Sequence, residues 1–473
     1  MKIKVFLFSL LFLAASLPSQ VTHVWLDPVN GSDTNPGTRA KPMKSIKKAL
    51  SVFNRDAVVH LLPGVYGPKT TGDFWDPVQK KPAQIKMIGF RNFTLTGVDR
   101  DKCIIDFNIA STVKGVPFYG LLHISGSSTD HVTICHITFR NNASNNPWGS
   151  GAIQTYGDVK HVNIHHCVFD KTNSSLIFWG GFDCTIHDNL FMNDNVAFRT
   201  RVRYFNKSFG DRLYVYNNVF YNCAQGIGIG AGNGAKNIPP PYQYIVNNVA
   251  LACGNGFIGG GNPQPKVLTF EGNLAFKCTT KNFAMPWTPS KSNLSLDPMF
   301  VNPAKGDFHI KPGSPCIDAG WHGIPAGLPS YALPDMGNDF FGDCRVSDGD
   351  LNGSAVPDIG LHEVNTAHLS VSNFAQGQTA VWSLTRTTQF PFTAIFFLAY
   401  KKDSLAYDPF GLVSVNLTKS IFRTVLPAPG KVNLPIPKDP VLTGLPIYAQ
   451  ALGFRTTPSG FRFMPSGRTT SYL

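Results

Sequence analysis

Apolar and polar positions follow one frame that recurs through the middle of the chain. It is clearest in the stretches that begin at Cys184 and Leu213, where a short polar turn ending in asparagine separates an apolar anchor from two further apolar residues. The anchors are spaced by 30, 22, 29, 30 and 25 residues, at Ile134, Ile164, Ile186, Val215, Ile245 and Phe270. A repeat of about 20 to 50 residues built from strand-like groups predicts the stacked coils of a parallel β-helix. An ordinary β-sandwich of short strands is the alternative.

Three further places of the frame carry one residue type from coil to coil. Asparagine recurs three places after the anchor and predicts a hydrogen-bonded ladder along the stack, at Asn189, Asn218, Asn248 and Asn273. An aromatic residue recurs five places after the anchor and is expected to fill the core, at Phe139, Phe169, Phe191 and Phe220. Cysteine recurs eight places after it, at Cys223, Cys253 and Cys278.

The nine cysteines are odd in number, so at least one thiol must be free. The three cysteines of the frame suit the core of a coil stack as small apolar residues, and we expect free thiols there, with disulfides as the alternative. If a bridge forms, we expect it between Cys316 and Cys344, near the far end of the coils.

The two ends of the chain differ from its middle. Residues 1–20 combine two lysines, an apolar run and a small-residue region, which predicts a secretory signal peptide and an exported protein. No later segment is long and apolar enough to predict a membrane span. Residues 21–363 are predicted to form the β-helix domain. Residues 364–473 show strands separated by proline-rich turns, which predicts a small C-terminal β-sandwich.

Basic residues exceed acidic ones and give the chain a formal charge of +13. The excess is uneven, because ten lysines or arginines stand against three aspartates after Asn365, a surplus of +7. A positive surface favours polyanionic partners. We expect an anionic polysaccharide or a cell-surface glycan as partner, and no nucleic acid.

The segments before and after the coils resemble those of known proteins. Before the coils lie Asn-Gly-Ser-Asp33, Asn-Pro-Gly-Thr38 and an amphipathic helix that follows Ser45; after them lie Ser314-Pro-Cys-Ile-Asp-Ala-Gly320 and Asp358-Ile-Gly-Leu-His-Glu363. These motifs resemble secreted bacterial proteins of the pectate-lyase-like superfamily, all-β proteins built on a right-handed parallel β-helix. The resemblance implies that the short helix caps the coil stack. It leaves the function open, since the superfamily includes lyases, hydrolases, epimerases and non-catalytic surface proteins.

The acidic turn near the start of this domain is a candidate calcium site. Asp27, Asn30 and Asp33 offer the oxygen ligands that Ca²⁺ prefers. The alternative is that these are ordinary turn residues.

A basic stripe and neighbouring glycines suggest a substrate groove. Alternation in the third coil places Arg199, Arg201 and Arg203 on one face, and the next coil has Gly228 beside them. Bare backbone next to arginines suits a bulky anionic chain, and Trp179 offers an aromatic platform at the place of Arg201 one coil earlier. The alternative is a solvated strand edge with glycines at tight corners.

A second outward column, one place after the anchor, carries groups for proton transfer. His165, His187 and Tyr216 occupy it in successive coils, and histidine titrates near neutrality. The alternative is that they are solvated surface residues.

A lyase would need arginine to neutralise a uronate carboxylate and a base such as Arg199, Arg201 or Lys207 to remove a proton. The sequence therefore favours a secreted protein that binds and depolymerises an acidic polysaccharide. The alternatives are a non-catalytic surface or adhesion protein and a glycoside hydrolase on the same fold.

Overall fold

The computed structural model describes residues 21–110, 120–143, 151–200, 212–230, 242–260, 268–321, 339–342, 345 and 356–364, together with the backbone of the C-terminal strands after residue 366. Up to residue 364 the described chain consists mainly of short parallel strands in three sheets. One α-helix, α1 (Ile46–Val52), precedes the coils.

Sheet 1 contains nine parallel strands, β1 (Thr22–Leu26), β2 (Arg55–Leu61), β7 (Arg91–Gly97), β10 (Asp130–Cys135), β13 (Lys160–His165), β16 (Cys184–His187), β19 (Arg212–Tyr216), β22 (Tyr242–Val246) and β25 (Leu268–Glu271). Sheet 2 contains eight, β3 (Gly64–Tyr66), β8 (Cys103–Ile109), β11 (Thr138–Asn142), β14 (Val168–Thr172), β17 (Leu190–Met192), β20 (Val219–Tyr221), β23 (Val249–Leu251) and β26 (Leu274–Phe276). Sheet 3 contains eight, β6 (Ile85–Ile88), β9 (Leu122–Ser125), β12 (Ile153–Tyr156), β15 (Ser174–Phe178), β18 (Val196–Thr200), β21 (Gln225–Gly230), β24 (Asn255–Gly260) and β27 (Lys281–Ala284).

The strands form the right-handed parallel β-helix that the sequence predicts. A coil passes from sheet 1 to sheet 2 to sheet 3 and then returns to sheet 1. The register places Ile186 beside Val215 and Val215 beside Ile245, so like positions of the frame stack on one another. Each strand then satisfies its backbone hydrogen bonds with the coils on either side.

The corner between sheets 1 and 2 is turned by one residue with positive φ in each of these coils. The residues are His136, His166, Asp188, Asn217, Asn247 and Gly272, with φ between 50° and 61°. Asparagine, aspartate and histidine enter this left-handed region more readily than other side chains do. The left-handed backbone conformation of the corner therefore explains why the frame has polar residues in its turn.

The predicted asparagine ladder follows this corner on its inner side. The side-chain amide of Asn189 donates to the Oδ1 of Asn218 at 3.1 Å, and that of Asn218 donates to Asn248 at 3.0 Å. The ladder continues through Asn273 to Asn293, and its first four members are fully buried. Each amide oxygen also accepts a backbone N–H from the preceding coil, as in the 3.0 Å bond from Asn189 N to Asn218.

The predicted aromatic column lies in the core. Phe139, Phe169, Phe191 and Phe220 are fully buried and stack with centroid separations of 5.0, 4.9 and 4.8 Å. Stacking at this distance follows the spacing of the strands themselves. Phe198 and Phe257, each twelve places after its anchor, are also buried.

The cysteines of the frame are free thiols in the interior. Cys223 and Cys253 are buried and Cys278 is partly buried, and none of the three is in a disulfide. Cys316, which we expected to pair with Cys344, is a buried free thiol, whereas Cys344 lies outside the described residues. Burial raises the pKa of Cys316 to about 12.

Helix α1 packs against the first coils. Ser45 caps it by accepting a hydrogen bond from Lys48 N, and Ile46, Ala49 and Leu50 enter the main core. The buried Asp73 carboxylate accepts the N–H groups of Ile46 and Lys47 at 3.0 and 2.7 Å. The helix therefore covers apolar side chains at the start of the stack, as the resemblance implies.

Antiparallel pairings complete the description outside the three sheets. One hairpin joins β4 (Trp75–Asp76) and β5 (Lys81–Pro82), and another joins β28 (Phe300–Asn302) and β29 (Asp307–Ile310). The strands after residue 366 are antiparallel as well, at β30 (Ala367–Ser372), β31 (Thr379–Arg386), β32 (Phe392–Ala399), β33 (Lys402–Tyr407), β34 (Gly411–Val415), β35 (Ser420–Ala428), β36 (Gly430–Pro435), β37 (Pro446–Thr457), β38 (Gly460–Pro465) and β39 (Thr469–Tyr472).

Candidate functional site

Arg199 lies on the outer face of sheet 3, as the alternation predicts. Its neighbour Phe198 points into the core and is fully buried, whereas Arg199 is partly exposed. On the adjoining strands it stands between Ile177 and Gly228. Its Nη2 donates to the Oε1 of Gln225 at 3.3 Å, which helps to hold the guanidinium against the sheet.

Gly228 leaves the backbone beside this arginine uncovered. A Cβ at this position would have the Phe198 carbonyl oxygen as its nearest neighbour at 3.6 Å, followed by the Arg199 Cγ at 3.8 Å. These are ordinary contacts, so space does not require glycine here. The absence of a side chain instead leaves an open shelf next to the guanidinium.

Polar side chains that the sequence did not reveal continue this surface. Gln225 pairs in register with Asn255, and Asn255 pairs with the exposed Lys281 on the next strand. Together with Arg199 and Gly228 they form a surface that we call the sheet 3 strip. Gln225 and Asn255 both lie ten places after their anchors, so a polar amide recurs at this position of the frame.

Other parts of the predicted groove are placed differently. Trp179 is only 6% exposed, so it does not offer an open aromatic platform. Gly259 lies on the same side of its strand as the core residue Phe257, and a Cβ there would collide with Trp287 at 2.7 Å. Arg201, Arg203 and Lys207 lie outside the described residues.

The column of His165, His187 and Tyr216 does not face solvent, contrary to our expectation. These residues are 5%, 0% and 6% exposed, and their rings stack at 4.9 and 4.8 Å. Their side chains do leave the coil on its outer side. However, a segment from beyond the coils lies over this corner of the stack, and we call its described residues, 339–342, 345 and 356–364, the closing segment.

Direct contacts tie the closing segment to the corner. His166 Nε2 lies 2.8 Å from the Asp339 carbonyl oxygen, and Asn217 donates to the carbonyl oxygens of Asp358 and Gly360 at 2.9 and 3.0 Å. These bonds use the left-handed residues of the corner. The histidine column is therefore an internal interface, out of reach of a polymer in solution.

A buried ion pair lies at the centre of this interface. Arg345 donates to the Asp188 carboxylate, and both side chains are 1% exposed. The same arginine donates to the carbonyl oxygens of Gly360 and Leu361 at 3.0 and 3.1 Å. Burial acts to raise the pKa of Asp188, but the Arg345 guanidinium and the hydrogen bond to His187 together hold that pKa below its ordinary value. A charge-paired aspartate of this kind is structural.

His166 and His187 lie beside this ion pair and are buried as well. His187 Nδ1 lies 2.8 Å from Asp188 Oδ2, while its buried Nε2 has no hydrogen-bond partner in the described structure. Burial lowers the pKa of His166 well below its ordinary value, so this imidazole is neutral. His166, His187 and Asp188 converge closely enough for a metal, but the cationic Arg345 already satisfies the carboxylate.

The predicted calcium ligands are engaged in local hydrogen bonds. Asp27 accepts from the backbone of Val29 and Asn30 at 2.8 and 2.9 Å and from the Asn30 amide at 3.1 Å. Asp33 accepts from Ser45 N and Ser45 Oγ at 2.8 and 2.7 Å. The two carboxylates thus shape the turn and hold the start of α1. Calcium binding at Asp27, Asn30 and Asp33 stays a prediction.

No helix among the residues that the structure describes is long and apolar enough to cross a membrane.

Comparisons with known proteins found one matching family profile and several similar solved structures. The profile of a family described as a protein of unknown function (DUF1565) matches residues 29–250. No curated protein matches the chain. Among solved structures, a rhamnogalacturonan lyase is 14% identical with a TM-score of 0.32, covering 54% of this chain and 74% of its own.

Two further structures are similar at the same level. A pectate lyase is 14% identical with a TM-score of 0.36 and covers 73% of this chain and 97% of its own. A lacto-N-biosidase from Eubacterium ramulus is 8% identical with a TM-score of 0.33 and covers 54% and 56%. The stacked parallel sheets identify the chain as a right-handed parallel β-helix protein.

Proposed function

We propose that this protein is secreted and binds an acidic polysaccharide along the sheet 3 strip. The observation that carries the proposal is the partly exposed guanidinium of Arg199, held by Gln225 beside the bare backbone of Gly228. A guanidinium binds a carboxylate with two parallel hydrogen bonds, and the open shelf lets a bulky sugar ring approach the sheet.

The strip supplies the kinds of group that such a ligand needs. Arg199 and Lys281 provide positive charge at its two ends, and Gln225 and Asn255 provide amides that donate to and accept from sugar hydroxyls. Four adjacent strands about 4.8 Å apart place these groups along the axis of the stack. An extended polymer lying across the coils could therefore contact successive side chains.

Cleavage by β-elimination is the catalytic form of this proposal. Arg199 would neutralise the carboxylate of a uronate, which makes the adjacent C5–H more acidic, and a neighbouring base would remove that proton. The C4–O bond would then break as a C4=C5 double bond forms, and the leaving oxygen would take up a proton. Arg201 and Lys207 are the base candidates from the sequence, together with Arg203 as a further contact. Hydrolysis of a glycosidic bond is the alternative chemistry.

Binding without cleavage is the second candidate, and one feature favours it. The strip residues include no carboxylate and no imidazole, so these described residues do not supply the paired acid and base of a glycoside hydrolase. A protein that only holds a glycan at a surface needs no such pair. We therefore test binding first and product formation second.

The binding test compares two charge reversals in the full-length chain. Arg199→Glu should weaken retention on polygalacturonate or alginate by about 10- to 150-fold, since a hydrogen bond to a charged group is worth about 1.5–3 kcal/mol. The control Arg55→Glu makes the same change of charge at an exposed position of β2 and should bind like the unmodified chain. Equal weakening in both variants would show only a general charge effect and would contradict the proposal.

The basic C-terminal residues provide a competing explanation. Reversal of Lys401 and Lys402 to glutamate tests them in the same assay. If this reversal abolishes retention and Arg199→Glu leaves it unchanged, the coil stack is a scaffold for a basic docking domain. Ultraviolet absorbance of the unsaturated product then separates a lyase from a binder, and release of reducing ends tests the hydrolase.

A further inference from the structure

A group of two histidines and one aspartate lies at a different corner of the stack, where sheet 3 passes into sheet 1. His131 and His161 stand in corresponding positions of β10 and β13, and Asp130 lies at the start of β10. His161 Nδ1 is 2.6 Å and His131 Nδ1 is 2.8 Å from the same oxygen, Asp130 Oδ1. Two imidazole nitrogens therefore converge on one carboxylate.

We propose that Asp130, His131 and His161 form a binding site for a divalent transition-metal ion such as Zn²⁺. Imidazole and carboxylate groups are its usual ligands, and three protein ligands with the remaining positions open to solvent are typical of an accessible zinc site. The three ligand atoms lie within 4.8 Å of one another. Zinc–ligand distances of about 2.0–2.2 Å separate tetrahedral ligand atoms by roughly 3.3 Å, so only small side-chain movements are needed.

The backbone fixes both histidines in this arrangement. They have φ of 52° and 48°, in a column of left-handed residues that also contains Asp56, Asn92 and Asp183. Parallel pairing of Val132 with Val162, the residues that follow the histidines, brings the two rings to a centroid distance of 4.3 Å. The site would therefore be formed by adjacent coils of a rigid stack and not by a loop.

Solvent access to the three side chains fits a metal ion. The side chains of His131, His161 and Asp130 are 49%, 20% and 35% exposed, so an ion can enter from solvent while the carboxylate is partly shielded. Arg91 and Lys160 pair in register with Asp130 on the neighbouring strands. Their positive charges lower the affinity for the metal ion. They do not compete with the histidines as ligands, since a charged arginine or lysine has no lone pair to donate.

The test measures Zn²⁺ binding to the untagged full-length chain by calorimetry after removal of metal with a chelator. Absorption of bound Co²⁺ serves as an independent readout of the ligand geometry. His131→Asn and His161→Asn retain a residue suited to the left-handed backbone, so the fold should persist, as circular dichroism can verify. Loss of an outer-shell partner alone weakens metal affinity about 10- to 100-fold, so loss of a ligand should exceed this.

The control is a histidine with similar local contacts but no convergent partner. His309 Nδ1 lies 2.7 Å from Asp307 Oδ1, and the nearby His362 Nδ1 accepts the backbone N–H of Ile310. His309→Asn should bind Zn²⁺ as the unmodified chain does. The proposal is overturned if the unmodified chain binds no Zn²⁺, or if the double variant of His131 and His161 binds it with unchanged affinity and stoichiometry.

Discussion

Replacement of Asn218 by alanine tests how much the asparagine ladder stabilises the stack. The Oδ1 of Asn218 accepts Asn189 N at 3.0 Å and the Asn189 side-chain amide at 3.1 Å. Its own amide donates to the carbonyl oxygens of Ile186 and Tyr216 and to the next ladder residue, Asn248. Alanine removes all of these bonds at a position with no exposed surface.

The expected loss of stability follows from the buried N–H groups that the substitution leaves without a hydrogen-bond acceptor. Two buried N–H groups lose their acceptor: Asn189 N, and the N–H of Asn189 Nδ2 that does not donate to the Ile164 carbonyl oxygen. Each unsatisfied buried group costs about 1–3 kcal/mol. We therefore expect a loss of about 2–6 kcal/mol in local stability, a large part of the roughly 5–15 kcal/mol that stabilises a typical domain. The effect should be strongest in the coils of β16 and β19.

Asn222 provides a matched control because it makes a similar contact at the surface. Its side-chain amide donates to Asn193 Oδ1 at 2.8 Å, and its replacement by alanine should cost below about 1 kcal/mol. Native-state hydrogen exchange of peptides from residues 184–192 and 213–221 measures the local opening free energy in each variant. A difference between the variants of less than about 0.5 kcal/mol would refute the reasoning.

Two further predictions concern other buried polar groups. Arg345→Met should destabilise the interface of the closing segment by about 3–5 kcal/mol, because it leaves Asp188 charged and buried. Adding Asp188→Asn should restore part of the lost stability. Faster amide hydrogen exchange in residues 356–364 measures the loss. Burial raises the pKa of Asp73 to about 6. The stabilisation from its protonated form is complete below about pH 4 and is lost as the pH rises through about 6, so thermal unfolding of Asp73→Asn should show a flatter pH dependence there. Parallel pH profiles for both chains would contradict this assignment.

The sequence was sufficient for the coil stack because each coil contacts mainly its neighbours. The frame that aligned Ile186 with Val215 also predicted the asparagine and phenylalanine columns, since like positions stack in register. The short helix was predicted from a resemblance, and α1 begins directly after Ser45 and covers the start of the stack.

The sequence was insufficient where distant segments meet. Alternation correctly placed His165 and His187 on the outer side of their strands, but it could not show that another segment covers them. Arg345 reaches Asp188 across 157 residues of sequence, a separation at which no local pattern constrains the contact. The group around Asp130 does have a signal in the sequence. His131 and His161 both lie three places before their anchors, so they recur at one position of successive coils.

The asparagine ladder also gives the solenoid a direction. Every side-chain amide from Asn189 onward donates towards the C-terminal end, so the amide dipoles align head to tail along the axis and polarise one another. The series ends at Asn293, whose amide donates to Ser290 Oγ at 2.9 Å in place of a further asparagine. Like the other rungs, it also donates to a carbonyl oxygen of the preceding coil, that of Phe270. A coil inserted between two existing rungs needs only its own asparagine, because its neighbours already supply a donor on one side and an acceptor on the other. A coil added after Asn293 would also need a new acceptor for its own last amide, as Ser290 now provides for Asn293. The number of coils is therefore easier to change within the stack than at its C-terminal end.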